Sequence, residues 1–174
     1  MALGQHRKIL QIVGYQNSGK TTLMEQLITQ ATVEGLRVGT IKHHGHGGIP
    51  MGDNSKDSFR HEQAGASVTA VEGEGTLRMS IHQSSWQLDE ILAIYASFKM
   101  DIVLIEGYKN ESYSKVVLLR TPEDQALLQK VSNIICVIYW PTYTLEKPLE
   151  YPAFSIDEQT KYREFLMTEM REKL

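Results

Sequence analysis

Hydrophobic and polar positions fall in alternating blocks along this chain. Residues 9–13 form a short, mostly apolar run that ends at Gly14, the pattern of a buried strand. Beyond a glycine-containing stretch, Met24, Leu27, Ile28 and Ala31 recur at i, i+3, i+4 and i+7. That spacing puts them on one helix face, and Gly35 is placed to end the helix. Residues 38–41 predict a second strand, followed by the irregular loop 43–50. Asp53, Asn54 and Ser55 offer N-cap chemistry for a helix running through Ala64. Segments 67–71 and 77–82 flank Glu72-Gly73-Glu74-Gly75-Thr76 and predict a hairpin. Leu88, Ile91, Leu92 and Tyr95 mark another amphipathic helix. Strands are predicted at 102–105, 116–119 and 134–138, a helix at 122–130, and a closing helix bearing Tyr162, Phe165 and Leu166. This alternation predicts an α/β fold: a mostly parallel sheet with helices on both faces, to which the hairpin adds an antiparallel edge.

Composition narrows the picture. The 174 residues suit one domain spanning 1–174, and 41% hydrophobic with 22% charged residues is ordinary globular usage. A net charge of −3 without a long basic run argues against nucleic acid as a partner. The lone cysteine, Cys136, lies inside an apolar run and reads as a small core residue. Residues 1–8 lack the apolar stretch of a signal peptide, and no segment approaches the ~18 apolar residues of a membrane span. A cytoplasmic protein without a membrane partner is expected.

Chemistry enters at Gly14-Tyr15-Gln16-Asn17-Ser18-Gly19-Lys20-Thr21, which fits G-x-x-x-x-G-K-[ST] in full. Gly14 and Gly19 let the backbone turn tightly and approach oxygen atoms that a Cβ would obstruct. The amides of Asn17, Ser18, Gly19, Lys20 and Thr21 then face phosphates from the positive end of a helix that continues through Thr22. Lys20 adds a mobile cation for the β- and γ-phosphates, and Thr21 supplies a hydroxyl for Mg²⁺. A chance glycine turn lacks the preceding strand and following helix that this motif has.

Such a site needs an acid from a neighbouring strand. Asp101 and Glu106 bracket the apolar run 102–105. Ligands collect at the carboxyl ends of the strands, and at ~3.3 Å per residue Asp101 would sit ~16 Å below Glu106. Glu106 is therefore the candidate for Mg²⁺, with Gly107 giving the backbone room. His43, His44 and His46 lack a nearby fourth ligand and helical spacing, which disfavours zinc. They read either as a loop near the phosphates, with Lys42 at its root, or as a solvated loop without a role. Asp57, Arg60 and His61 share a helix face, as a surface ion pair or as a switch-like element reaching toward the γ-phosphate or its metal.

The run 12–23 resembles the opening of the molybdopterin-guanine dinucleotide biosynthesis protein B family, MobB. Thr40-Ile41-Lys42-His43-His44, Lys56-Asp57-Ser58 with Arg60, and Ala64-Gly65-Ala66 resemble it too. Ile105-Glu106-Gly107-Tyr108-Lys109, Lys115-Val116 and Arg120 continue the resemblance in the same order. The resemblance implies a P-loop protein that binds GTP and Mg²⁺, hydrolyses GTP weakly, and forms a homodimer. It implies an accessory role beside the molybdopterin guanylyltransferase, with a molybdopterin pathway intermediate as a further ligand. It also implies a water-positioning or metal-linked role for Asp57, which joins Lys20 and Glu106 as a catalytic candidate. Val117 stands where the family often carries an acid, and Tyr139-Trp140-Pro141-Thr142 contains no Asn-Lys-x-Asp guanine motif. The alternatives are a P-loop small-molecule kinase and a nucleotide sensor without turnover. The kinase is weakened by the scarcity of arginines after the glycine-rich loop, where Arg60 is the one arginine before Arg78.

Overall fold

The computed structural model describes residues 8–44, 57–142 and 149–172. Contacts divide the chain into two compact units, Met1–His43 with Leu92–Leu174 and His44–Ile91. The first unit is built on β1 (Lys8–Gly14), β2 (Val38–Lys42), β5 (Ile102–Glu106), β6 (Ser114–Leu119), β7 (Ile134–Tyr139) and β8 (Ala153–Ser155). They form one parallel sheet in the order β2-β5-β1-β6-β7-β8. Parallel strands need crossovers, and helices α1 (Lys20–Val33) and α4 (Gln159–Glu172) cover one face.

Side chains alternate between the two faces of this sheet. On one, Leu10, Ile12, Ile102, Leu104, Val116, Leu118, Cys136 and Ile138 pack with Leu23, Met24, Leu27 and Ala31 of α1 and with Tyr162, Leu166, Met167 and Met170 of α4. On the other, Val13, Val117, Leu119 and Val137 meet Leu127. Leu127 ends a 3-10 helix, Pro122–Leu127. Burial on both faces explains why these strands read as apolar runs rather than alternating ones. Tyr95, at the end of α3 (Leu88–Tyr95), donates its hydroxyl to the Thr40 carbonyl at 2.5 Å.

Two buried polar side chains interrupt the second face. Gln11 and Lys115 are register partners on β1 and β6, and neither is exposed. Gln11 Nε2 donates to the carbonyls of Gly107 and Tyr108, at 3.1 and 2.8 Å. Lys115 Nζ donates to the carbonyls of Glu111 and Tyr113. Together they hold the β5–β6 connection against the sheet, where a backbone carbonyl without a donor would cost about 1–3 kcal/mol.

The second unit contains α2 (Asp57–Gln63) and the antiparallel pair β3 (Val68–Gly73) and β4 (Thr76–Ile81). Glu74 and Gly75 turn the hairpin with φ of 51° and 76°, the left-handed pair that a two-residue turn requires. Thr69 donates to Glu62 of α2 at 2.8 Å.

Three sequence expectations change. The hairpin is a two-stranded sheet of its own and not an edge of the main sheet, whose edges are β2 and β8. Its strands are largely exposed and lack the continuous apolar run of a doubly covered strand. The helix expected at 122–130 is the shorter 3-10 turn. Asp124 draws it tight by accepting from the Arg120 and Thr121 amides, at 2.7 and 3.1 Å. β8 was not expected, because three residues after Pro152 give no readable period. The cap residues Asp53, Asn54 and Ser55 lie outside the described residues.

Cys136 is fully buried, and burial pushes its thiol well above the ordinary range. As the chain's lone cysteine it should resist a disulfide reagent in the native protein and react fully in denaturant. Thiol release followed by absorbance against urea concentration checks this. Fast native labelling would contradict the placement of β7 inside the sheet.

Candidate functional site

β1 lies between β5 and β6, so its carboxyl end opens at the middle of the sheet rim. There the chain must leave the sheet in very little space. A Cβ on Gly14 would stand 2.5 Å from Ser18 Oγ and 2.9 Å from the Leu118 carbonyl oxygen. Asn17 and Gly19 take the left-handed conformation, with φ of 60° and 99°. The loop closes into α1 when the Leu23 amide bonds the Gly19 carbonyl at 3.0 Å. Ser18 is fully buried, and its hydroxyl has no hydrogen-bond partner among the described residues. A buried hydroxyl left over inside an anion-binding loop fits a loop shaped for a ligand.

The side chains of α1's first turn converge with those of β5 and β2. Thr21 donates its hydroxyl to Glu106 Oε2 at 3.3 Å, and Lys42 Nζ lies 3.2 Å from Glu106 Oε1. Glu106 is 7% exposed. Lys20 folds back to donate to the Tyr15 carbonyl at 2.7 Å. Desolvation holds the Lys20 ammonium below its usual pKa, Glu106 opposes that, and Lys42 adds to it. A hydroxyl, a carboxylate and an ammonium thus share one rim, with hard oxygen donors of the kind Mg²⁺ prefers.

Glu106 is held by its surroundings. The Gly107 amide bonds the Ile12 carbonyl at 3.0 Å and the His43 amide bonds the Glu106 carbonyl at 2.9 Å. Gly107 and Tyr108 both have positive φ, 94° and 51°. The Tyr108 ring packs on His43 with centroids 4.5 Å apart. Asp101 sits at the other end of β5, where it accepts from the Arg37 amide at 2.7 Å. It caps a turn far from the loop.

This rim and strand order belong to a P-loop NTPase fold. Residues 9–140 match the family described as molybdopterin guanine dinucleotide synthesis protein B. The chain belongs to the MobB family. A Bacillus subtilis (strain 168) protein named probable molybdopterin-guanine dinucleotide biosynthesis adapter protein is 40% identical over 172 residues, which is 98% of either chain. The crystal structure of a MobB protein homolog from Bacillus stearothermophilus is 43% identical, with a TM-score of 0.79 over 95% of this chain and 99% of that one. The Bacillus subtilis MobB crystal structure is 39% identical, with a TM-score of 0.81 over 92% and 96%. This MobB-family chain is therefore of the molybdopterin-guanine dinucleotide biosynthesis adapter type.

Gly14, Asn17, Ser18, Gly19, Lys20, Thr21 and Thr22 follow one another into α1, and Glu106 joins them from β5. Asp57 is in the second unit, 3.5 Å from Arg60 in a largely exposed ion pair. His46 and most of the 43–50 loop lie outside the described residues. Among the described residues no group of His, Cys, Asp and Glu could hold a metal by itself. Sequence reasoning gave no role to Gln11, Lys115, Arg120 or Trp140. A glutamine inside an apolar strand was the one visible signal for the first.

Gly14→Ala should lower stability by about 1–3 kcal/mol, because the added carbon meets a backbone carbonyl that cannot yield. Urea denaturation measures it. An unchanged midpoint would show that the loop tolerates a side chain at its root.

Proposed function

We propose that this MobB-family chain binds GTP with Mg²⁺ at the Gly14–Thr21 loop, hydrolyses it slowly, and assists a molybdopterin guanylyltransferase as a homodimeric cytoplasmic adapter. The contact of Thr21 with Glu106 beside Lys20 carries the reading, since it joins a hydroxyl and an acid at the mouth of a phosphate loop. Bound Mg²⁺ supplies charge neutralisation on the β- and γ-phosphate oxygens. Thr21 and Glu106 are the residues to hold it. Lys20 would turn from the Tyr15 carbonyl to the phosphates, and the amides of Asn17, Ser18, Gly19, Lys20 and Thr21 would orient them. Thr22 extends the same first turn. Asp57 is proposed to position water or the metal at the terminal phosphate, and Asp57→Asn should slow hydrolysis while GTP affinity changes little. No described helix is long and apolar enough to cross a membrane.

Lys20→Ala should remove most triphosphate affinity and leave the thermal unfolding transition in place. Titration calorimetry with GTP and Mg²⁺ tests it, and unchanged affinity in the folded variant would remove the site. Glu106→Gln should weaken Mg²⁺-dependent phosphate release more than nucleotide binding, while Asp101→Asn leaves both intact. The reverse order would move the acid to the other end of β5.

The lowered Lys20 pKa gives a pH signature. Bound phosphate favours the charged ammonium, so affinity is full below the free-state pKa and falls as pH rises through it. With tripolyphosphate, which has no base to titrate, the fall should begin below 10.5, the ordinary lysine value. A decline starting only above 10.5 would place Lys20 in open solvent.

A further inference from the structure

A triphosphate seated in this loop has a direction. Glu106, Lys42 and the Thr21 hydroxyl mark the β5 side, and a terminal phosphate with its cation meets groups of that kind. The nucleoside end then leaves on the opposite side of β1, over the ends of β6 and β7. Arg120 and Trp140 stand there, immediately after those two strands.

Both side chains grip the phosphate loop. Arg120 donates from Nη1 to the Asn17 carbonyl at 3.1 Å, and Trp140 donates from Nε1 to the Ser18 carbonyl at 2.9 Å. The guanidinium carbon lies 5.3 Å from the indole centroid. The backbones are tied as well: the Trp140 amide bonds the Leu119 carbonyl at 2.9 Å, and the Thr142 hydroxyl bonds the Arg120 carbonyl at 3.0 Å. Arg120 is exposed, and its guanidinium forms no ion pair among the described residues. An exposed arginine within cation–π range of an indole, without an acid partner among the described residues, at the mouth of a phosphate site is a ready stacking surface.

We infer that Arg120, backed by Trp140, is the shelf for the purine base of the bound nucleotide. A planar guanidinium carries an aromatic ring on each face, so indole, guanidinium and base form a three-layer stack. This shelf occupies the place after β7 where the chain has no Asn-Lys-x-Asp motif, and it holds the ring by stacking. The inference rests on the phosphate-loop reading above and adds the residues that take the base.

The test uses the full chain with Trp86→Phe, which leaves Trp140 as the sole tryptophan. Calorimetry and Trp140 emission are read together for Mg²⁺ complexes of GTP, ATP and tripolyphosphate. The nucleotides should quench Trp140 emission far more than tripolyphosphate does at saturation. Arg120→Ala should weaken nucleotide binding about tenfold, the loss expected of one stacking contact, and change tripolyphosphate affinity by less than about twofold. Arg120→Lys, which keeps the charge but not the plane, should lose most of the same increment. Equal weakening for nucleotides and tripolyphosphate would make Arg120 a brace of the loop and overturn the shelf. Nucleotide binding without a change in Trp140 emission, together with an unaffected Arg120→Ala variant, would also overturn it while leaving the phosphate-loop reading standing. Failure of tripolyphosphate and nucleotides alike to bind the unsubstituted chain would overturn both.

Discussion

At Gly14 the chain leaves the centre of a parallel sheet with the Leu118 carbonyl and the Ser18 side chain already occupying the space a Cβ would need. The neighbours β5 and β6 are both held in the sheet: each packs one face against the helices, and β6 packs its other face against Leu127 of the 3-10 turn. Only a residue without a side chain lets the loop fold back here. The left-handed Asn17 and Gly19, the buried Ser18 and the start of α1 all follow from that one narrow exit. The main sheet thus sets the loop's shape, and its core packing is indirectly part of its chemistry.

The polar side chains within the sheet serve the same rim. Gln11 and Lys115 lie side by side on the face opposite α1 and bond four carbonyls of the segment that follows Glu106. Tyr108 is held in a left-handed conformation that costs a non-glycine residue on the order of 1 kcal/mol or more. A connection of that kind persists only where the surroundings over-determine it. On the other flank, Arg120 and Trp140 donate to the Asn17 and Ser18 carbonyls.

Much of this was legible in the sequence. The central strands declared themselves because burial on both faces requires unbroken apolar runs, and Gly14 to Thr21 is a motif whose residues are contiguous in the chain. Glu106 could be chosen over Asp101 because strand direction alone separates the two ends. Less local features escaped. β8 depends on pairing with β7 and has only three residues to show for it. The hairpin's independence from the main sheet depends on exposure rather than on period. Arg120 and Trp140 lie 103 and 122 residues from the carbonyls they bond, a separation no window along the chain can see.

The contact between Lys42 and Glu106 has an electrical consequence. The acid at the rim already has a counterion, and with Lys20 close by, two ammonium groups stand against one carboxylate. Such a mouth is net cationic when empty, so a bare divalent ion meets repulsion and a rival already seated. A polyanion meets attraction, and its own charge reverses the balance that kept the ion out. On the proposed function, that charge balance favours a metal and a triphosphate entering as a pair.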